Sequence, residues 1–100
     1  LSGVLPMDSA GRVVAGDIAV QTQVVLERIA ATLGELGAGL GDVVRVTVWL
    51  ADLADFAAFN DEYRRHFTNG FPARSTVEAR LHGGARVEIE AQACAPAGAA

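Results

Sequence analysis

The stretch FPARSTVEARLHGGARVEIEAQAC, residues 71–94, decides how this chain folds. Asn69-Gly70 ends what precedes it, and Phe71-Pro72 leads into a new segment. Residues 73–81 and 86–94 read as two strands. His82-Gly83-Gly84-Ala85 between them reads as a hairpin turn, because paired glycines tolerate positive φ. In the returning strand Val87, Ile89, Ala91 and Ala93 face one way, and Glu88, Glu90, Gln92 and Cys94 the other. As a hairpin, the pair places Arg74, Thr76 and Glu78 on the same side as Glu88 and Glu90.

Working outward, residues 42–51 form a strand by their β-branched content. Val44, Val46, Val48 and Leu50 fall on one face, and Val43, Arg45, Thr47 and Trp49 on the other. Residues 52–68 have helical spacing, with Leu53, Phe56, Phe59, Tyr63 and Phe67 on one stripe. Further upstream, Asp17 stands where a helix N-cap belongs. Ile18, Gln21, Val25, Ile29, Leu33 and Leu36 follow at steps of three and four, an amphipathic helix stopped by Gly37. Residues 7–16 are turn-rich around Asp8 to Gly11, and residues 1–6 are the end of a strand closed by Pro6. Residues 95–100 read as a frayed tail. The order strand, helix, strand, helix, two strands gives a single α+β domain over residues 1–100, a small mixed sheet with both helices on one face. The other face, with Thr47 and Trp49 beside arginines and glutamates, suits an oligomer interface holding polar pockets.

Composition narrows the function. The chain has 100 residues, 8 basic against 12 acidic, and a net charge of −4. All the basic residues are arginines, scattered singly except for Arg64-Arg65, which argues against a nucleic-acid binder. Without lysine there is no Schiff-base nucleophile, and arginine is left as the grip for an anionic substrate. Cys94 is the only cysteine, so no internal disulfide forms and a reducing cytosol is the expected compartment. No apolar run approaches the ~18–20 residues that cross a bilayer, and no signal-peptide pattern opens the chain. Its start at Leu1 rather than Met suggests a fragment.

Arg74 and Glu88 are the pair that can carry chemistry. A guanidinium offers a planar fork of donors matching a carboxylate, and a nearby glutamate can hold or polarise a water. Read from the pattern alone, a cross-strand ion pair, Arg74 with Glu88 or with Glu78, is the favoured arrangement, because such pairs are common. Cys94 reads as a buried or partly buried free thiol. His66, on the flank of the second helix, and His82, in the turn, lack metal-ligand spacing. Asp52, Asp55, Asp61 and Glu62 lack the alternating ligands of a calcium loop and read as a capped, solvated helix.

With Ser2-Gly3 and Pro6, Gly16-Asp17, Gln21-Thr22, Asp42-Val43-Val44, Thr47-Val48, Asp55-Phe56, Phe59-Asn60, Tyr63, Phe71-Pro72-Ala73-Arg74-Ser75 and Val87-Glu88-Ile89-Glu90-Ala91 in this order, the chain resembles the RidA/YjgF reactive-intermediate deaminase family from Leu1 to about Ala93. The resemblance implies a chorismate-mutase-like fold and a homotrimer with sites at its subunit clefts. It implies hydrolysis of enamines and imines such as 2-aminoacrylate to 2-keto acids and ammonia, with no cofactor or metal. It carries the carboxylate clamp onto Arg74 and the water-positioning glutamate onto Glu88. Ser2 falls on a site-lining serine, and Thr76 on a position whose backbone contacts substrate. A small-molecule carboxylate is then the partner, with no nucleic acid and no membrane, in the cytoplasm. The sequence departs from the family at Val4, at Leu81-His82 and in the shortened stretch between Glu78 and Glu88. It also lacks an upstream strand that bears a site tyrosine. Two other functions compete: a non-catalytic module binding a 2-keto acid, and an endoribonuclease, an activity attributed to some relatives.

Overall fold

The computed structural model describes residues 1–94. The expected tail at 95–100 lies outside them. Asp17 caps helix α1 (Ile18–Glu35), its side chain accepting from the Val20 N–H at 3.0 Å. Ile18, Val25, Leu26, Ile29 and Leu33 turn inward, and Gly37 at φ 77° ends the helix as expected. Leu36 leaves the stripe: it is the C-cap residue and stands 65% exposed.

Strand β1 (Val43–Leu50) is the middle of a three-stranded sheet. A 3₁₀ turn at Leu53–Asp55 leads into helix α2 (Phe56–His66). Strand β2 (Ala73–Glu78) pairs with β1 in parallel, and strand β3 (Val87–Ala93) pairs with β1 antiparallel, giving the order β2-β1-β3. The sheet is mixed and both helices lie on one side of it. Val25, Leu26, Ile29, Val46, Val48, Leu50, Phe59, Tyr63, Val87 and Ile89 share one core. Each such aliphatic or aromatic side chain contributes roughly 1.5–3 kcal/mol by leaving water. No helix among the described residues is long and apolar enough to cross a membrane.

Three expectations are corrected. First, residues 73–94 are not a hairpin. The β1-α2-β2 crossover places β2 on one edge of β1, and β3 takes the other edge. The connection from Ala79 to Arg86 therefore passes the end of β1, held by Ala79 N–H to Leu50 O and Ala51 N–H to Arg86 O, both at 3.0 Å. Gly83 and Gly84 do adopt positive φ, 67° and 76°, in a 3₁₀ turn. Second, Val44 is exposed and Val43 buried, because a register shift between Val43 and Arg45 resets the alternation at the start of β1. Third, Leu53 and Phe56 stand largely out of the core, and α2 buries Phe59, Tyr63 and the following Phe67.

The N-terminal segment lies along the free edge of β3. Val4 exchanges both backbone hydrogen bonds with Ile89, at 2.7 and 3.1 Å, and Leu1 O accepts from Ala91 N–H at 3.1 Å. Gln21 ties the opening loop to the core. Its Nε2 donates to Val14 O at 3.0 Å, and its Oε1 accepts from Arg86 N–H at 2.7 Å.

Candidate active site

Arg74 stands opposite Val46 and Thr76 opposite Val48 in the β1-β2 register. Residues directly opposite in a sheet point to the same side. Val46 and Val48 are core residues, so Arg74 and Thr76 lie on the helix side, as does Glu78 opposite Leu50. The expectation that these three share a face with Glu88 is therefore corrected. It followed from the hairpin, and the parallel pairing with β1 reverses it.

On that side α2 receives Arg74. Nη1 donates to Asn60 Oδ1 at 2.8 Å. The guanidinium carbon lies 4.7 Å from the Tyr63 ring centre and 5.6 Å from those of Phe56 and Phe59. Ring faces at these distances attract a cation. Arg74 makes no ion pair among the described residues, with Glu88, Glu78 or any other carboxylate. The alternative of a cross-strand ion pair is thus set aside. Among the described residues this half-buried guanidinium has one amide oxygen as its hydrogen-bond acceptor, and most of its five donors are left over. It opens onto a cleft of about 450 Å³ lined by Asn60, Tyr63, Arg64, Phe71, Pro72 and Arg74.

Tyr63 forms the floor. Among the described residues its buried hydroxyl has no well-formed hydrogen bond, though the Arg74 guanidinium lies close to it. Burial pushes its phenol up to about 12, with the charge and then the hydrogen-bond donors of Arg74 pulling the other way. The ring therefore stays neutral beside the guanidinium at any physiological pH.

Glu88 is placed elsewhere. It stands opposite Trp49, on the face away from the helices. It is half-buried, and its carboxylate lies over Gly3, so close that a methyl group at Gly3 has no room beside it. The N-terminal segment thus brings Ser2-Gly3 and Glu88 together, with Ser2 exposed. Arg74 is two strands across and three residues along from Glu88. From strand spacing and rise their Cα atoms are about 14 Å apart, on opposite faces. The residues expected to share one site thus lie in two places: Arg74 and Thr76 under α2, and Glu88 with Ser2-Gly3 on the outer face.

That outer face carries a smaller hollow of about 170 Å³ lined by Arg45, Thr47, Glu90 and Gln92. Cys94 is exposed, against the expectation of a buried thiol, because β3 ends just before it. Nor is Glu62 part of a solvated helix face. It is buried, and accepts from Arg65 at 3.2 Å and pairs with His66 Nε2 at 2.8 Å, a clamp on the last turn of α2. Among the described residues no group of three or more His, Cys, Asp or Glu is placed to hold a metal ion.

Asn60 and Gly3 are the site residues that reasoning from composition and pattern did not single out. Asn60 had a signal: it is an amide inside the apolar stripe of α2, next to Phe59 and three to four residues from Tyr63 and Phe56. Gly3 had none, since its contact joins residues 85 positions apart.

Comparison with known proteins bears on this geometry. The family model described as Endoribonuclease L-PSP matches residues 1–95. A RutC family protein of Pyrococcus abyssi is 47% identical over 93 residues, covering 91% of this chain and 73% of its own length. The 2-iminobutanoate/2-iminopropanoate deaminase of Salmonella typhimurium is 43% identical over 94 residues, covering 90% of this chain and 73% of its own. Among solved structures, yeast Mmf1 superposes with a TM-score of 0.91 at 33% identity, over 96% of this chain and 78% of that one. The YjgF gene product of E. coli superposes with a TM-score of 0.80 at 40% identity, over 90% of this chain and 74% of that one.

Proposed function

This chain belongs to the RidA/YjgF (endoribonuclease L-PSP) family, and from that premise we propose that it hydrolyses 2-imino acids and their enamine tautomers to 2-keto acids and ammonia. The observation that carries the reading is Arg74: a half-buried cation in a cleft, with no acidic partner among the described residues. An anion belongs there, and the planar fork suits a carboxylate. Relatives named 2-iminobutanoate/2-iminopropanoate deaminase act on small molecules of that kind. The net charge of −4 and the scattered arginines weigh against RNA as the substrate.

In the proposed reaction Arg74 holds the substrate carboxylate, and the backbone at Thr76 contacts it further along β2. Glu88 positions a water against the imine carbon. As the new C–O bond forms, Glu88 takes a proton from that water. It returns that proton to the nitrogen, giving a carbinolamine; the hydroxyl proton then passes through Glu88 to the nitrogen, the C–N bond breaks, and ammonia leaves as the ketone forms. Positioning supplies much of the acceleration, since a reaction between two held partners is effectively intramolecular. Arg74 and Glu88 lie on opposite faces of one sheet, so a working site needs Arg74 from one protomer and Glu88 with Ser2-Gly3 from another. A homotrimer with sites at its subunit clefts provides that arrangement.

The test generates imines in situ with an amino-acid oxidase, lets semicarbazide compete for them, and scores added protein by loss of semicarbazone. Wild type should lower the signal and Arg74→Ala should not. Arg74→Ala and Glu88→Gln, each inactive, should regain activity when co-expressed, because mixed oligomers rebuild some intact sites. Random assembly of sites drawing on two protomers predicts about a quarter of wild-type activity. No recovery in proven mixed oligomers would place both residues of a site in one chain. Binding of a 2-keto acid with no ammonia release would make the protein a binding module instead.

A further inference from the structure

Arg74 raises a question that the clamp role alone does not answer: what keeps a half-buried guanidinium both fixed and charged. Phe56, Phe59, Asn60 and Tyr63 are spaced by three, four and seven residues and share one face of α2. Three rings cradle the guanidinium, at 4.7 to 5.6 Å from its carbon. Ring faces hold a cation but leave it free to turn in its own plane. The bond from Nη1 to Asn60 Oδ1, 2.8 Å long, removes that freedom. A guanidinium has donors and no acceptor, so the amide must present its oxygen to Arg74. Arg74 is anchored at one corner of its fork by a neutral group.

We infer that Asn60 is the positioning residue of the site, orienting the Arg74 guanidinium while leaving its full charge for a substrate carboxylate. The inference rests on the reading of Arg74 as the carboxylate clamp. Its sharpest consequence concerns aspartate. Asp has the size and shape of Asn, would accept the same hydrogen bond, and would add a negative charge. It would pair with Arg74, occupy the fork and cancel the charge that the substrate needs. A scaffold role predicts that the shorter Ala harms the site more than the isosteric Asp. The positioning role predicts the reverse.

The test measures calorimetric binding of 2-oxobutanoate, and of uncharged 2-oxobutanamide, to wild type, Asn60→Ala, Asn60→Asp and Arg74→Ala. Asn60→Ala should weaken 2-oxobutanoate by about tenfold through loss of one bond to a charged group. Asn60→Asp should weaken it by about a hundredfold, with the amide ligand bound nearly as by wild type. In the semicarbazone assay the Asp variant should raise KM far more than it lowers kcat. Arg74→Ala separates the two claims. If it binds 2-oxobutanoate as wild type does, the clamp reading falls and this inference with it. If Arg74→Ala loses binding but Asn60→Ala keeps wild-type affinity, or Ala proves worse than Asp, the clamp stands and the role of Asn60 is overturned. The Ala arm decides the matter alone should the Asp variant not fold.

Discussion

Replacing Gly3 by alanine separates the chemistry of Glu88 from the stability of the fold. A Cβ at Gly3 would fall 2.9 Å from the Glu88 carboxyl carbon and 3.3 Å from its Cγ, and would overlap Oε2 outright. Ordinary contact begins at 3.4 Å, so the carboxylate must swing away. The obstacle is the end of a flexible, half-exposed side chain rather than backbone, and Gly3 is not among the glycines held at positive φ. The backbone can accept alanine, and the unfolded chain loses some freedom. Stability should change by less than about 1 kcal/mol. Catalysis should not be so tolerant, because a displacement near 1 Å at a reacting group costs on the order of a hundredfold. We expect kcat in the semicarbazone assay to fall about a hundredfold, with 2-oxobutanoate affinity, which depends on Arg74, nearly unchanged. Urea denaturation supplies the stability and calorimetry the affinity. Wild-type kcat in a variant whose displaced Glu88 is seen by crystallography would refute the water-positioning role. A loss of more than about 3 kcal/mol would show instead that the Gly3 contact is structural.

Three further outcomes follow from the geometry. Gln21→Ala removes two partly buried hydrogen bonds and leaves Val14 O and Arg86 N–H without them; urea titration should show a loss of about 1–3 kcal/mol. The chain's single tyrosine, Tyr63, should titrate near pH 12 in the native protein by absorbance at 295 nm. Its folded value is raised, so the unfolded chain gives up the phenol proton first, and native stability should fall as pH climbs from about 10 toward 12. Tyr63→Phe should abolish that alkaline loss with little change in stability at neutral pH, since among the described residues the hydroxyl has no well-formed hydrogen bond to lose; a variant with the same alkaline slope would assign the effect to another group. Asp17→Ala should cost about 1 kcal/mol through loss of the α1 cap, read by urea titration.

Each element that rests on neighbours in sequence was legible without coordinates. The Asp17 cap, the stripe of α1, the Gly37 stop, the alternation of β3 and the positive φ of Gly83 and Gly84 all depend on residues within a turn or two of each other. Those signals determined an α+β chain with two helices and a short mixed sheet, and they marked Arg74 and Glu88 as the residues able to grip and to move a proton. The partner of each strand was not legible. A pair of glycines satisfies a tight turn equally well whether it closes a hairpin or carries the chain past the end of a third strand. Side chains alternate with period two, so the choice of partner and register decides which face a residue occupies. Pairing β2 with β1 put Arg74 under α2 beside Asn60 and Tyr63, and pairing β3 on the far edge left Glu88 on the opposite face with Gly3. Residue type therefore determined which side chains are candidates for the chemistry. Long-range strand pairing, which no local pattern encodes, determined that Arg74 and Glu88 lie apart, on opposite faces of the sheet.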